Sequence, residues 1–398
     1  MSRFDHENIN FEVLKQRAYN MRWAEVEEGI IPLTAADSDF PVAPEIVEDL
    51  IAYIKDGYFS YTPKMGMPEC KRSIAEALKR RKNEDVDPNL VLPIDSAARG
   101  MFVIANAVLE PGDEVIVFDP VDYLFKQSVL SAGATPVLFP MEINEKGNIS
   151  FEKLESYITP KTKMLCLCNP HNPLGKIYPM EDLDQFLAIA EKHDLWIMND
   201  EIWADIVFSG NKFNSLLELG NKRNMKTLSV FGFSKSFGIA GLRAGCIYCQ
   251  DEEIFQRIVD EADVMSTAGG ITSLSQVAVI ACMDKAYYWV DEFIEHLEGN
   301  RDYAMERISK MPLITCESPD ATFLLFPDIT QTGMESIDFA EYLLKEHQLA
   351  IVPGSDKFFG PGANGHIRIC FSTSRQVLEQ GLDRLEAGLI ALNQKIEG

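Results

Sequence analysis

Positive charge is scarce in this sequence. Lys and Arg number 37 against 61 Asp and Glu, so the 398-residue chain carries a net charge of −24. A surface this acidic repels nucleic-acid phosphates and anionic lipid, so neither is an expected partner. Any anionic ligand must be drawn in by a few local arginines. Long apolar runs are also lacking: no window reaches about 18 uninterrupted apolar residues, so no membrane-spanning helix is expected. The first residues, Met1-Ser2-Arg3-Phe4-Asp5-His6-Glu7, carry charges and no apolar core, which is unlike a secretory leader and points to the cytoplasm. The 8 cysteines are scattered and do not form a disulfide framework. Cys166 and Cys168 alternate within Met164-Leu165-Cys166-Leu167-Cys168, which reads as a buried strand. Cys246-Ile247-Tyr248-Cys249 fits a C-x-x-C pattern, but no second pair or nearby histidine accompanies it. No metal site is expected.

What is present is enough chain for two domains and a large core. From about residue 95 to 285, apolar strand-like runs alternate with amphipathic helical runs. The strands read as Glu114 to Phe118, Thr135 to Phe139, Lys163 to Cys168, Leu195 to Asp200 and Thr227 to Gly232, with helical stretches such as Met180 to His193 between them. Such alternation predicts an α/β fold: a mostly parallel central sheet covered by helices on both faces. Beyond about Lys285 the pattern changes to a long helical run through Glu295 and Met305. Short strands come next, near Thr322 to Phe326 and His366 to Phe371, then a closing helix from Arg375 to about Leu392. The expected division is a large domain over 40–285 and a smaller α+β domain formed by 1–39 with 286–398. Gly354 to Gly365 reads as a glycine-rich loop.

Ligands of parallel sheets sit at the carboxyl ends of the strands. Asp119, Asn169, Asp200 and the segment carrying Lys235 all fall just past such ends. In Phe233-Ser234-Lys235-Ser236-Phe237-Gly238-Ile239-Ala240-Gly241-Leu242-Arg243, a lysine among small residues precedes an arginine by eight positions. Small residues let a bulky ligand approach the backbone. A lysine so placed becomes a nucleophilic amine once it loses its proton. An arginine on the same loop can grip a phosphate with its planar fork of donors. Asp95-Ser96-Ala97-Ala98-Arg99-Gly100 precedes a helical run, Met101 to Leu109, and such a start offers free N–H groups to a phosphate.

Taken together and in this order, these motifs resemble those of the fold-type I, pyridoxal 5'-phosphate (PLP) dependent enzymes of the class I/II aminotransferase superfamily. The resemblance spans about residues 30 to 390. It implies a PLP-transferase fold with PLP as cofactor. Lys235 would be the Schiff-base lysine, which also moves a proton at the substrate's α-carbon. Asp200, in Asp200-Glu201-Ile202-Trp203, would pair with the pyridine nitrogen, and without the resemblance it reads as a helix cap. Asn172, in Asn169-Pro170-His171-Asn172-Pro173-Leu174-Gly175, would donate to the phenolic oxygen, with His171 a structural neighbour. Arg243, Ser234, Ser96, Ala97 and Ala98 would hold the phosphate. Arg368, aided by Asn172 and Ala36, would bind the substrate carboxylate. Tyr61, in Tyr58-Phe59-Ser60-Tyr61-Thr62-Pro63, would reach the neighbouring subunit's cofactor, which implies a homodimer with active sites at the interface.

Three positions depart from the pattern. Trp203 stands where many relatives have a tyrosine, and indole donates but cannot ionise. The aromatic that stacks on the ring is expected two residues after Pro120, where Asp122 stands, so Tyr123 is the candidate after a one-residue shift. Gly232 replaces a serine that commonly touches the phosphate. The expected activity is transfer of an amino group between an L-amino acid and a 2-oxo acid. A second reading is a cystathionine β-lyase-like C–S lyase, suggested by Ala35-Ala36-Asp37-Ser38-Asp39-Phe40 and Phe59-Ser60-Tyr61-Thr62. Against it stand Trp203 and Thr34, where those lyases usually have a histidine and a tryptophan. A third reading, a non-catalytic PLP-binding regulatory protein, predicts loss of Lys235, Asp200 or Arg368, and all three are present.

Overall fold

The structure is a computed structural model that describes residues 2–144, 147–220, 222–266 and 269–397. Its strands, in chain order, are β1 (Ile31–Pro32), β2 (Val91–Ile94), β3 (Glu114–Asp119), β4 (Thr135–Pro140), β5 (Thr162–Cys168), β6 (Trp196–Asp200), β7 (Thr227–Gly232), β8 (Gly245–Tyr248), β9 (Leu324–Leu325), β10 (Leu349–Ala350), β11 (Val352–Pro353) and β12 (Ile367–Cys370). β2 to β8 form one seven-stranded sheet in the order β2-β8-β7-β6-β5-β3-β4. β4, β3, β5, β6 and β7 pair in parallel, and β8 runs antiparallel to both β7 and β2. The five strands read from the sequence are therefore present, within a residue or two at their ends.

The antiparallel strand has a local cause. A parallel return needs a crossover of a dozen or more residues, usually a full helix. Between β7 and β8 the chain holds only the short helix Ser234–Phe237 and the 3₁₀ turn Ala240–Leu242. It turns back at once, and the loop that does so carries Lys235 and Arg243. Helices cover both faces of the sheet, so most strands are buried on both sides. β7 is buried at all six positions and β5 at all but Lys163. That explains why these strands read as continuous apolar runs rather than alternating ones.

The strand order reverses between β3 and β5, with β4 on one side and β6 and β7 on the other. Crevices at such a reversal, beyond the carboxyl ends, are where open α/β sheets take ligands. Outside this sheet, β12 lies between β11 and β9 in an antiparallel sheet, and β1 pairs in parallel with β10. The chain near residue 31 therefore lies beside residue 349. The closing helix Arg375–Glu397 runs five residues beyond the expected Leu392. Gly354 to Gly365 is tied down: Gly362 N–H donates to both oxygens of Asp119, at 3.0 Å each.

Candidate active site

Beyond the ends of β3, β5, β6 and β7 lies a cavity of 620 Å³, within the range that holds small-molecule ligands. Lys235, Asp200, Asn172, Arg243, Arg368, Ser96, Ala97, Ala98, Ser234, Trp203, Tyr123 and Ala36 all line it. Tyr61 does not. Its side chain is 92% exposed and stands outside this cavity.

Lys235 sits on the helical turn after β7. Its Nζ donates to the Ala36 carbonyl at 2.6 Å and lies 5.5 Å from the centre of the Trp203 ring. Burial lowers the pKa of this amine and the Arg368 guanidinium adds to that, while Asp37 and Asp122 oppose it. A buried amine whose pKa is lowered gives up its proton more readily and then acts as a nucleophile. Asp200 ends β6, with its Oδ1 accepting from Ile202 N–H at 2.9 Å. Burial pushes this carboxyl up to about 7, partly offset by the Ile202 bond and raised again by Asp122 and Glu201. Such a carboxyl is costly to ionise unless a cation meets it.

Ser96 caps the helix Ala97–Val108, its Oγ accepting from Arg99 N–H at 3.1 Å. The helix start is held against β8 by backbone contact. A Cβ on Gly245 would stand 2.4 Å from Ala97 N and 2.7 Å from the Ser96 carbonyl carbon, so only glycine fits there. At Gly232 the space is tight but not closed by backbone: a side chain there would start 2.9 Å from Ile202 Cδ1 and 3.2 Å from Ala97 Cβ, so the serine usual at this place would require Ile202 to shift. Arg243 is exposed on the cavity's rim and has no ion-pair partner among the described residues.

Arg368, on β12, is 9% exposed and likewise has no ion pair among the described residues. Its Nη1 donates to Asn172 Oδ1 at 3.4 Å and its Nη2 to the Thr34 carbonyl at 3.3 Å, both long bonds, and Nε has no partner. A nearly buried guanidinium with such weak partners is poised for an incoming carboxylate. Asn172 Nδ2 donates to Asp122 Oδ2 at 2.9 Å. Asp122 also caps the helix Tyr123–Ser131, accepting from Leu124 N–H at 3.1 Å. Its carboxyl is pushed up by burial against the pull of that bond and of Arg368 and Lys235. Both Asp122 and Tyr123 line the cavity, with Tyr123 37% exposed. Trp203 is buried, edge-on to Phe323 with ring centres 4.7 Å apart.

Several lining residues escaped the sequence reading. Met21, Glu25 and Val26 come from the N-terminal region, and Phe358 and Phe359 from the loop after β11. No local motif announces them, because they reach the site only through the β1–β10 and β11–β12 pairings. His171 is structural, as expected: its Nε2 lies 2.9 Å from the Pro120 carbonyl and its Nδ1 3.2 Å from the Tyr178 hydroxyl. The cysteines are all unpaired, and no metal-binding cluster occurs among the described residues. No helix among the described residues is long and apolar enough to cross a membrane.

Residues 28–385 match the family described as aminotransferase class I and II. An aromatic-amino-acid aminotransferase from Thermococcus litoralis is 30% identical over 361 residues, covering 90% of this chain and 91% of that protein. An aspartate aminotransferase from Pyrococcus abyssi is 30% identical over 359 residues, with the same coverage. A PLP-bound crystal structure of a protein described as an aminotransferase, from Clostridium difficile 630, superposes with a TM-score of 0.88 at 26% identity, covering 96% of this chain and 100% of that one.

Proposed function

The chain belongs to the aminotransferase class I and II family and is a PLP-dependent aminotransferase, and from that premise we propose how its residues carry the reaction and how it assembles. The cavity fits the cofactor. An amine of lowered pKa, a carboxyl in need of a cation, a helix start beside an unpaired arginine, and a buried guanidinium without a carboxylate face one space. PLP, when bound, supplies an aldehyde for amino groups and a protonated ring that draws electrons from the substrate's α-carbon.

Lys235 would hold the aldehyde carbon. Its amine would also serve as the base that takes the substrate's α-proton and gives it back, the proton movement that transamination requires. Asp200 would ionise against the ring nitrogen and keep its proton in place. Arg243, the N–H groups at Ala97 and Ala98, and the hydroxyls of Ser96 and Ser234 would hold the phosphate. Trp203 and Tyr123 would flank the ring, and Asn172 would donate to its phenolic oxygen with the amide hydrogen that Asp122 does not use. Arg368, with Asn172 and the Ala36 backbone, would take the α-carboxylate and so fix which face of the α-carbon meets Lys235.

One observation carries this reading: residues from the ends of β5, β6 and β7 and from β12 converge on one cavity with complementary charge. The protein loaded with PLP should form glutamate from 2-oxoglutarate and an L-amino acid. Pyruvate release from cystathionine without glutamate formation would instead favour the lyase reading, which the named relatives do not favour.

Assembly is part of the proposal. Tyr58, Phe59 and Tyr61 are 77%, 60% and 92% exposed on one short stretch, an apolar cluster that suits an interface. We assign it to a homodimer in which Tyr61 reaches the phosphate in the other subunit. Pairing of β1 with β10 supports grouping residues 1–39 with 286–398 as a smaller domain beside 40–285. Unpaired cysteines suit the reducing cytoplasm.

A further inference from the structure

Among the described residues, four cationic side chains line the cavity: Arg22, Lys235, Arg243 and Arg368. On the reading above, Lys235 takes the aldehyde, Arg243 the phosphate and Arg368 the α-carboxylate. Arg22 is spent inside the protein. It is 1% exposed, forms a buried ion pair with Asp39, and donates through Nη1 to Cys370 Sγ at 3.2 Å. Asp39 is fixed in turn by Trp23 Nε1 at 2.8 Å. The one unpartnered nitrogen of Arg22, Nε, is itself sealed from solvent and cannot reach a ligand.

Apart from the neutral polar side chains Thr34, Ser96, Tyr123, Asn172 and Ser234, the rest of the wall is apolar or acidic. Met21, Val26, Leu124, Ile351, Phe358 and Phe359 supply its apolar part. Glu25 stands exposed on the same wall with no ion-pair partner among the described residues, and the half-buried Asp122 also lines the cavity. A second carboxylate on the substrate would meet these two acids and no free cation among the described residues. Like charges and missing partners are how a site rejects a competitor.

We infer that the side-chain end of this pocket takes an uncharged apolar or aromatic side chain and disfavours a dicarboxylic amino acid. This sets the chain apart from its relative described as an aspartate aminotransferase. The inference rests on the aminotransferase reading of the same site, and the test separates the two. Two readouts are needed with the PLP-loaded protein. The first is the rate of cofactor conversion by L-phenylalanine, L-leucine, L-aspartate and L-glutamate, each followed by absorbance. The second is calorimetric binding of two unreactive acids, 3-phenylpropanoate and succinate.

Phenylalanine or leucine should exceed aspartate by about tenfold or more in kcat/KM, and 3-phenylpropanoate should bind about tenfold tighter than succinate, a difference of about 1.4 kcal/mol. Glu25→Arg should narrow both ratios by supplying the missing cation. Aspartate or succinate matching or beating its apolar counterpart would overturn the inference and leave the aminotransferase reading intact, with a cation from a second copy serving the distal carboxylate. Absence of conversion by all four amino acids would overturn the aminotransferase reading itself.

Discussion

Asp200→Asn should make the cofactor-free protein more stable in alkaline solution while disabling the loaded enzyme. The Asp200 carboxyl is 7% exposed, and burial raises its pKa from 3.8 to about 7. The folded state therefore holds a proton that the unfolded chain releases. The stability linked to this group is fully present below pH 3.8 and is lost as pH rises through about 7. The loss amounts to about 4 kcal/mol at pH 8, against under about 2 kcal/mol at pH 5, at about 1.4 kcal/mol for each tenfold change in proton affinity. Asparagine keeps the acceptor for Ile202 N–H and carries no charge to bury. The variant should gain on wild type by roughly 2 to 3 kcal/mol between pH 5 and pH 8. Urea unfolding of both cofactor-free proteins at the two pH values measures this. Loading with PLP should reverse the order, because a positively charged ring nitrogen stabilises the aspartate alone. A stability gap between variant and wild type that does not change with pH would refute the argument that Asp200 is buried at an energetic cost kept for a cationic ligand.

The same geometry sets further outcomes. Lys82 is buried with Nζ 2.8 Å from Glu201 and 3.5 Å from Glu84, and 4.2 Å from the centre of the Phe231 ring. Lys82→Met strands the buried carboxylate of Glu201 beside Glu84 and should cost about 3–5 kcal/mol, read as a fall in the urea midpoint. An unchanged midpoint would contradict it. Gly245→Ala forces a methyl into the backbone at Ser96 and Ala97. It should weaken PLP affinity by about 10- to 100-fold, as misplacing a binding loop by about 1 Å does, and fluorescence titration with PLP reads this directly. Mixing inactive Lys235→Ala with Tyr61→Ala should restore activity through hybrid dimers that carry one intact site. No restoration on mixing would count against a shared active site.

Much of the site was legible because its parts are local. A buried strand must end somewhere, and the residues just past its carboxyl end face the crevice. Asp200, Asn172 and the Lys235 loop could be placed by that rule alone. The eight-residue spacing from Lys235 to Arg243 also lies within one turn of chain. The parts that could not be read depend on long-range meetings. Asp122 approaches Asn172 and Arg368 from positions 50 and further away in sequence, and nothing near it says that its carboxyl joins Tyr123 in lining the cavity. Lys82 and Glu201, 119 residues apart, look like two surface charges until the fold buries them together. The wall formed by Met21, Glu25 and Val26 depends on the β1–β10 pairing of two-residue strands, too short for any periodicity to signal. The reversal at β8 results from the brevity of a loop whose composition was noticed for its chemistry.

The most direct test is to trap the bond between Lys235 and the cofactor. The PLP-loaded protein, reduced with borohydride, digested and mapped by mass spectrometry, should carry the cofactor's mass on Lys235, and Lys235→Ala should carry none. Cofactor found on another lysine, or no covalent attachment in wild type, would contradict the assignment of Lys235 as the residue that holds PLP.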